Sequence, residues 1–225
     1  MAQDQFSFLP FTRHSFYTDL NTSLVEQAGF RPGQRVIDLA CGTGAVSRLI
    51  LDKIRGARDG LLLAIDGSSA ALRQAREDLG KDWGSVRFTI VEFIQGRAEH
   101  LPRMIRQRVD AVVLCNAIHM VPNKSQLVEA VRDVLIPGGI FAFNSAFFRG
   151  TNPPETDQFY RRWMARAVRI LRGDYGLRPI KAEKVEARKH LSVEEYSDLL
   201  QQSGFRIKEA VVQHAPMPLQ AWIDI

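Results

Sequence analysis

Val36-Ile-Asp-Leu-Ala-Cys-Gly-Thr-Gly-Ala45 is the stretch of this sequence that decides its fold. The nearly continuous apolar run over residues 35–40 predicts a short strand buried in a parallel sheet. Gly42 and Gly44 follow, and glycines there let the backbone turn tightly and approach a ligand without a Cβ in the way. A helix is predicted from about Ala45 to Lys53. A strand, a glycine loop and a helix in this order indicate a ligand-binding turn of an α/β domain.

Two acidic residues lie where predicted strands end. Asp38 stands near the end of the first strand, where a carboxylate can accept hydrogen bonds or compensate a cationic group of a ligand. Asp66 closes the next predicted strand, Gly60–Asp66, where a carboxylate can bind both hydroxyls of a ribose. The two acids therefore predict a nucleoside-containing ligand.

Strands and helices continue to alternate along the chain. Beyond Asp66 the pattern predicts helices over 70–79 and 125–135 and strands over 86–93, 111–116 and 140–145. This rhythm is typical of an α/β fold with a mostly parallel sheet and right-handed crossovers.

The two ends of the chain add helical material. A helix is predicted over Ser15–Ala28, and residues 149–190 are predicted to be a helical, basic insert without a strand of its own. Ser192 and Glu195 form a capping-box pattern for a helix that ends near Gly204. A late strand is predicted over 206–214, and residues 221–225 fit either a strand or the start of a helix.

Composition limits the class of protein. The chain has 225 residues, 45% of them hydrophobic, which suits a single domain spanning 1–225. It has no apolar run long enough for a membrane span, and no secretory signal is recognised. Two cysteines, Cys41 and Cys115, predict neither a disulfide framework nor a metal cluster, and Cys115 is interpreted as buried filler. We therefore expect a reduced, cytoplasmic protein without a metal.

The positive charge is concentrated in one segment. The formal net charge is +5, which suits nucleic acid, an anionic lipid surface or an acidic substrate. Residues 149–189 hold eleven basic and five acidic residues, a net +6. The insert therefore carries the excess, and the rest of the chain is nearly neutral.

Residues 35–148 resemble the class I S-adenosylmethionine-dependent methyltransferases. The run Asp38-Leu-Ala-Cys-Gly42-Thr-Gly44 is similar to their first motif, Asp66 to their ribose-binding acid, and Gln95-Gly-Arg-Ala98-Glu99 to their adenine-flanking segment. Val112-Val-Leu-Cys-Asn116-Ala-Ile-His119 is similar to the fourth strand and its end, which borders the transferring methyl group. The resemblance is nearest to the small-molecule branch that includes ubiquinone and menaquinone C-methyltransferases and natural-product methyltransferases.

The resemblance implies a Rossmann-like, three-layer αβα fold with a helical lid inserted after the fifth strand. It also implies that S-adenosylmethionine is the cofactor and S-adenosylhomocysteine the product. The residues it assigns to cofactor binding are Asp38, Ala40, Cys41, Gly42, Gly44, Asp66, Gly67, Ala98, Glu99, Asn116, Ala117 and Tyr17. One departure is Arg97, which stands where many relatives carry Asp, so that Glu99 or the Ala98 amide would have to recognise the adenine.

Two rivals share parts of this pattern. A nicotinamide dehydrogenase needs a third glycine in the fingerprint, and Ser47 occupies that position. A nucleic-acid amino-methyltransferase often carries Asn/Asp-Pro-Pro-aromatic after the fourth strand. The similar string Asn152-Pro-Pro-Glu155 comes after the fifth strand and lacks the aromatic residue. We interpret it as a turn and expect no nucleic-acid partner.

The acceptor side is predicted from position and composition. His119, just past the fourth strand, is the candidate catalytic base or orienting group; its alternative role is structural. Residues 1–30 and 149–190 are rich in aromatic side chains and are expected to cover an apolar or aromatic small-molecule acceptor, although core packing explains most of these aromatics as well. Arginines 162, 166 and 169 recur at helical spacing and suit an anionic or carrier-bound acceptor, or simply a solvated face.

The sequence thus predicts a small-molecule methyltransferase. A nucleic-acid or protein methyltransferase, and a cofactor-binding protein without transfer activity, are the alternatives. The acceptor atom (O, N or C) and the oligomeric state stay open.

Overall fold

A computed structural model describes residues 9–81, 89–178, 190–218 and 220–221. Its strands are β1 (Arg35–Leu39), β2 (Gly60–Asp66), β3 (Thr89–Gln95), β4 (Val109–Cys115) and β5 (Leu135–Asn144). Its helices are α1 (Leu9–Thr12), α2 (Ser15–Ala28), α3 (Ala45–Ile54), α4 (Ser69–Gly80), α5 (Leu101–Met104), α6 (Lys124–Val134), α7 (Pro154–Gly173) and α8 (Val193–Gln202).

The five strands form one sheet in the order β3-β2-β1-β4-β5, and each neighbouring pair is parallel. The chain moves outward from β1 to β3 and then returns to place β4 on the other side of β1. This reversal makes a switch point between β1 and β4, where open α/β sheets bind ligands outside the carboxyl ends of their strands. The predicted Rossmann-like α/β fold is confirmed.

Both faces of the sheet are covered. Successive side chains of a strand point to opposite faces. In β1, Ile37 packs in a cluster with Leu127 of α6, whereas its neighbour Val36 packs with Ile50 of α3 on the other face. A strand buried on both sides must be apolar throughout, which explains the continuous apolar run of β1.

Side chains cap several helices at their first turn. The Ser68 hydroxyl accepts from the Ala71 amide at the start of α4, and the Asn123 side chain accepts from the Gln126 amide at the start of α6. At α8 both halves of the predicted capping box are present. These caps satisfy amides that have no partner within the helix.

The predicted late strand over 206–214 is wrong. The chain there is irregular, and its adjacent valines Val211 and Val212 are 54% and 50% exposed. A strand needs a neighbouring strand to satisfy its backbone groups, and in the described residues no strand pairs with the outer edge of β5. Instead, the segment is linked to α2 by hydrogen bonds, such as that from Gln213 Nε2 to Ser23 Oγ.

Strand β5 starts earlier than the predicted 140–145. Leu135 already pairs with Val109, and Ile140 pairs with Ala111, so four residues of β5 lie opposite a single residue of β4. Gly138 within this stretch has φ +79°. Pro137-Gly-Gly, which the sequence places between the predicted helix over 125–135 and the strand over 140–145, is therefore a bulge inside the strand rather than a turn before it.

The basic insert contains one long helix, α7, as its composition predicts. Of the predicted lid segments, residues 1–8 and 179–189 lie outside the described residues, as do 86–88 of the predicted third strand and 222–225 at the C-terminal end. In the described part of the chain, no helix is both long and apolar enough to cross a membrane.

Candidate functional site

The loop after β1 holds three left-handed backbone conformations. The φ angles are +56° at Ala40, +54° at Gly42 and +85° at Gly44. Glycine adopts this region freely, whereas a residue with a Cβ loses about 1–2 kcal/mol there. Ala40 is therefore strained, and strain of this kind persists where the surrounding structure enforces it, commonly at ligand sites.

The two glycines of this loop serve different purposes. A Cβ on Gly44 would lie 3.2 Å from Ala75 Cβ and 3.3 Å from Leu79 Cδ1, so Gly44 allows α3 to begin close against α4. A Cβ on Gly42 would have no atom of the described residues within 4 Å. The main chain of Gly42 therefore borders open space, which a ligand can enter.

Asp66 fastens this loop to the end of β2. Its Oδ2 accepts a hydrogen bond of 2.8 Å from the Gly42 amide, and its Oδ1 accepts one of 2.8 Å from the Ser68 amide. A carboxylate has about four acceptor positions, so each oxygen keeps one for a ligand.

Asp38 points into the protein and is 1% exposed. The Ser47 hydroxyl on α3 donates to its Oδ2 at 2.6 Å. Burial raises the pKa of Asp38 to about 7; the Ser47 hydrogen bond opposes this shift, and the negative Asp66 adds to it. Asp38 can thus gain or lose a proton near neutral pH. The sequence singled out Ser47 only as a departure from the dehydrogenase fingerprint and missed this contact.

The cysteines next to these groups are buried and free. Burial raises the pKa of the Cys41 and Cys115 thiols, and the negative Asp38 raises both further. Both thiols are therefore neutral at physiological pH, as expected for Cys115 as buried filler.

Asn116 turns the chain sharply after β4. Its φ is +49°, its amide donates to Asn144 Oδ1 at 2.8 Å, and its own Oδ1 accepts from the Ala146 amide at 3.0 Å. Its Nδ2 is buried and has no hydrogen-bond partner in the described structure. Such a donor is costly unless a partner is supplied, and this one lies at the switch point.

Helix α2 is joined to this turn. Asn144 Nδ2 donates to Asn21 Oδ1 at 2.8 Å. Tyr17, one turn earlier on α2, has its pKa raised by burial and by the nearby Cys115 and Asp38. The predicted N-terminal helix therefore reaches the site. Sequence reasoning missed Asn21 and Asn144, since nothing local pairs residues 123 positions apart.

His119 is held by Ser145. Nδ1 of His119 lies 3.1 Å from Ser145 Oγ, and that hydroxyl also lies 3.1 Å from the carbonyl and the amide of Phe147. The Ser145 hydroxyl has one proton, which it donates to the Phe147 carbonyl. Nδ1 of His119 therefore carries the ring proton and donates it to Ser145 Oγ. The lone pair of Nε2 is then left for another group.

The surroundings keep His119 uncharged. Burial lowers the pKa of His119 to about 4, with further lowering from His190 and Lys124. The ring of Phe147 lies 4.6 Å from the imidazole and that of His190 lies 6.4 Å away. Lys124 Nζ donates to the Val121 carbonyl at 3.0 Å and fixes the turn. His119 is therefore a neutral hydrogen-bonding group beside an aromatic ring.

The predicted adenine segment lies beside Asp66. The Gly96 amide donates to the Asp66 carbonyl at 3.0 Å, and residues 98–100 form a single 3₁₀ turn. Arg97, the departure noted above, makes a 3.5 Å ion pair with Glu99, whose side chain is only 17% exposed. Arg97 is therefore paired with Glu99, and the segment keeps an acidic side chain at Glu99.

The structure brings the predicted residues to one edge of the sheet. The ends of β1, β2 and β3 carry Asp38, Ala40, Cys41, Gly42, Gly44, Asp66, Gly67, Ala98 and Glu99, and the end of β4 carries Asn116, Ala117 and His119. Their individual contacts to a ligand stay predictions.

Known proteins match this same part of the chain. A family model described as "Methyltransferase domain" covers residues 37–143, which run from β1 to the end of β5 and include the glycine loop, Asp66 and His119. The chain thus resembles a methyltransferase domain over just under half of its length. Its fold also matches a solved S-adenosylmethionine-dependent methyltransferase from Aquifex aeolicus, with a TM-score of 0.59, 15% identity and coverage of 91% of this chain and 92% of that one.

Two further proteins are similar to this methyltransferase domain. The ubiquinone/menaquinone biosynthesis C-methyltransferase UbiE of Legionella pneumophila is 30% identical over 132 residues, which are 57% of this chain and 50% of that protein. The plantazolicin methyltransferase BamL, solved with a substrate analogue and S-adenosylhomocysteine, gives a TM-score of 0.54 at 18% identity and covers 87% of this chain and 65% of that one. The chain spans about half the length of the UbiE proteins it matches.

The site of the methyltransferase domain suits the cofactor of its class, S-adenosylmethionine. Asp66 has free acceptor positions for ribose hydroxyls, Gly42 leaves its main chain open, and Asn116 Nδ2 is a donor that lacks a partner. Among the described residues, no group of three or more His, Cys, Asp or Glu side chains could hold a metal ion.

Proposed function

We propose that this chain transfers a methyl group from S-adenosylmethionine to a small, apolar or aromatic acceptor. The observation that carries the proposal is a set of three groups at the carboxyl edge of the sheet: the open Gly42 main chain, the Asp66 carboxylate hydrogen-bonded to it, and the side-chain donor Asn116 Nδ2, which has no partner among the described residues. They match the polar parts of a nucleoside-containing cofactor, and the family match points the same way.

His119 is proposed to orient the acceptor. The bound cofactor supplies an electrophilic methyl group on a sulfonium, so the protein mainly has to position the acceptor and exclude water. The Nε2 of His119 accepts a hydrogen bond from the acceptor group. When the methyl group is transferred, the electron pair of the broken carbon–sulfur bond stays with the cofactor, which leaves the acceptor with one proton to lose; Nε2 of His119 would take that proton and pass it to water. The low pKa of His119 keeps Nε2 unprotonated at neutral pH.

An apolar acceptor suits the aromatic side chains at the site. Phe147 lies against the His119 ring. Tyr17, whose pKa is raised by the nearby Cys115 and Asp38, has its ring 5.4 Å from that of the buried Phe11. The UbiE relative is a C-methyltransferase of ubiquinone and menaquinone biosynthesis, and this similarity supports the same class of acceptor. The lid over the acceptor that the sequence predicts from residues 1–30 and 149–190 stays a prediction, and the aromatic side chains of α7 within it are exposed.

The alternatives have less support. Asn152-Pro-Pro stands directly before and at the start of α7, with Pro154 as the first helical residue, and this favours a helix start over a nucleic-acid methylation motif. A cofactor-binding protein without transfer activity would not need the Ser145-held His119. Cytoplasmic location is part of the proposal, supported by the two free cysteines.

The proposal is tested in two steps with the whole chain. Calorimetric titration with S-adenosylmethionine, S-adenosylhomocysteine and NADH should show micromolar binding of the first two and none of NADH. Labelled S-adenosylmethionine is then offered with quinones, phenols, fatty acids and polyketides, with RNA and protein as comparisons. Binding of NADH alone would overturn the cofactor assignment. Labelling of RNA or protein instead of any small molecule would overturn the acceptor class.

A further inference from the structure

Helix α7 is the least buried long element of the described chain. None of its 20 residues is buried. Thirteen large hydrophobic side chains are exposed in the described residues, and eight of them lie between positions 159 and 177. They are Phe159, Tyr160, Trp163, Met164, Ile170, Leu171, Tyr175 and Leu177. A concentration of this kind marks an interaction surface.

Around α7 the exposed apolar and basic side chains lie on different sides of the helix. With 3.6 residues per turn, Phe159, Trp163 and Ile170 fall on one stripe, and Tyr160 and Leu171 extend the same side. The rings of Tyr160 and Trp163 lie 5.9 Å apart. The helix therefore has one continuous aromatic and aliphatic face, which we call the apolar face of α7.

The opposite side of α7 is basic. Five arginines, Arg161, Arg162, Arg166, Arg169 and Arg172, occupy the remaining arc of the helix; Arg166, seven residues after Phe159, borders the apolar face, and the other four lie further round. The two acidic residues of the helix, Glu155 and Asp157, lie in its first turn, where they suit the helix dipole. Beyond that turn every charged residue of α7 is an arginine.

We propose that α7 docks on the surface of an anionic phospholipid bilayer. Helices that lie in a membrane interface combine aromatic and aliphatic residues on one face with Lys and Arg on the other. Lipid headgroups surround the polar side of such a helix, so arginines all along the basic arc meet phosphates. A protein groove would contact only the arginines that flank the apolar face. Charge complementarity therefore favours the bilayer over an acidic protein.

Helix α7 is connected in sequence to the strand that borders the site. The helix follows β5, whose last residue, Asn144, is bonded to Asn116 in the site. Docking through α7 would bring the site to the membrane, from which an apolar acceptor can be taken. The docking itself does not depend on methyl transfer, so its test uses no catalytic readout.

Sedimentation of the protein with vesicles tests the proposal. Binding to vesicles of phosphatidylglycerol and phosphatidylcholine is compared with binding to vesicles of phosphatidylcholine alone. The full chain should bind the anionic vesicles, and added salt should weaken binding. Trp163→Glu should reduce binding by about tenfold or more because a charge enters the apolar face. Val211→Glu places the same charge on a residue of similar exposure (54% against 51%) outside the helix and should bind like the native chain.

A second pair of variants tests the basic arc. Arg166→Gln with Arg169→Gln should weaken binding to anionic vesicles, whereas Arg13→Gln with Arg73→Gln, at exposed positions on other elements, should have less effect. Absence of binding to anionic vesicles at low salt would overturn the proposal. Equal binding by Trp163→Glu would also overturn it, and so would dimers without lipid that Trp163→Glu dissociates, since a second copy would then be the partner.

Discussion

The Gly42 amide donates to Asp66 Oδ2 at 2.8 Å, and this bond ties the end of β1 to the end of β2. The two residues are 24 positions apart; Asp66 is the last residue of β2, and Gly42 lies in the loop that follows the parallel neighbour β1. The bond aims the Asp66 carboxylate along the carboxyl edge of the sheet, since the Ser68 amide holds its other oxygen.

Replacing Asp66 with Ala should weaken S-adenosylmethionine binding by about 10- to 100-fold, because hydrogen bonds to a charged group are lost together with the tie to Gly42. Calorimetric titration measures this loss. Asp133→Ala, which removes an exposed carboxylate on α6, should leave affinity unchanged. Native-like affinity in Asp66→Ala would mean that the cofactor assignment of Asp66 is wrong.

The two glycines of the loop should respond differently to alanine. Gly44→Ala meets Ala75 and Leu79 in addition to a left-handed φ, so it should lower the free energy of unfolding by more than about 2 kcal/mol. Gly42→Ala has open space and should cost only about 1–2 kcal/mol of stability. It should still weaken cofactor binding, because its Cβ occupies the open side of the main chain. Urea unfolding and titration of both variants check this; the opposite order of stabilities would contradict it.

Much of this arrangement could be predicted from sequence because its signals are local. An apolar run, two glycines and an acid at a strand end each follow from a few adjacent residues, and parallel topology then brings the strand ends to one edge. Asp66 and the glycine loop were located in this way. The structure then showed that Gly42 borders open space and Gly44 packs on α4, a distinction that depends on a helix 30 residues further on.

What sequence reasoning missed depends on contacts distant in the chain. Asn21 meets Asn144, and Ser145 meets His119, only after the sheet and α2 are assembled. The late strand over 206–214 was predicted wrongly: the segment contains β-branched residues such as Val211 and Val212, but it pairs with no strand of the described sheet. Pairing partners, unlike periodicity, cannot be read from one segment.

Loss of the His119 imidazole should reduce turnover without reducing cofactor affinity. His119→Ala is expected to lower kcat by about 10²-fold or more, the usual range for a positioned proton-accepting side chain. His100→Ala, at an exposed position of the adenine segment, serves as the matched control. Full activity of His119→Ala would reduce His119 to a structural residue.

Ser145 should act through His119 as a positioning residue. Ser145→Ala removes the acceptor of the Nδ1 proton, so nitrogen NMR of the imidazole should show a mixture of tautomers in place of one. Turnover should fall less than in His119→Ala, and Ser145→Thr, which keeps the hydroxyl, should restore much of it. An unchanged tautomer in Ser145→Ala would show that another group orients the ring.

Asp38 should make stability depend on pH. Burial raises the pKa of Asp38 to about 7, whereas the pKa of an Asp in an unfolded chain is about 3.9. Between these values the folded chain binds more protons than the unfolded chain, so the Asp38 contribution to stability decreases as pH rises from about 4 to about 7. Urea unfolding at pH 5 and pH 8 measures the free energy of unfolding at each pH. This free energy should decrease more between pH 5 and pH 8 for the native chain than for Asp38→Asn. An equal loss in both chains would contradict this.

The same group should couple cofactor binding to proton release. A ligand that places positive charge near Asp38 favours its carboxylate and lowers its pKa, so binding near pH 6.5 should release part of a proton. Titrations of S-adenosylmethionine in buffers with different ionisation enthalpies, phosphate and Tris, measure that release. Asp38→Asn should abolish it, and Asp133→Ala should not change it. If Asp38→Asn releases as much as the native chain, the proton comes from another group and Asp38 does not sense the charge of the ligand.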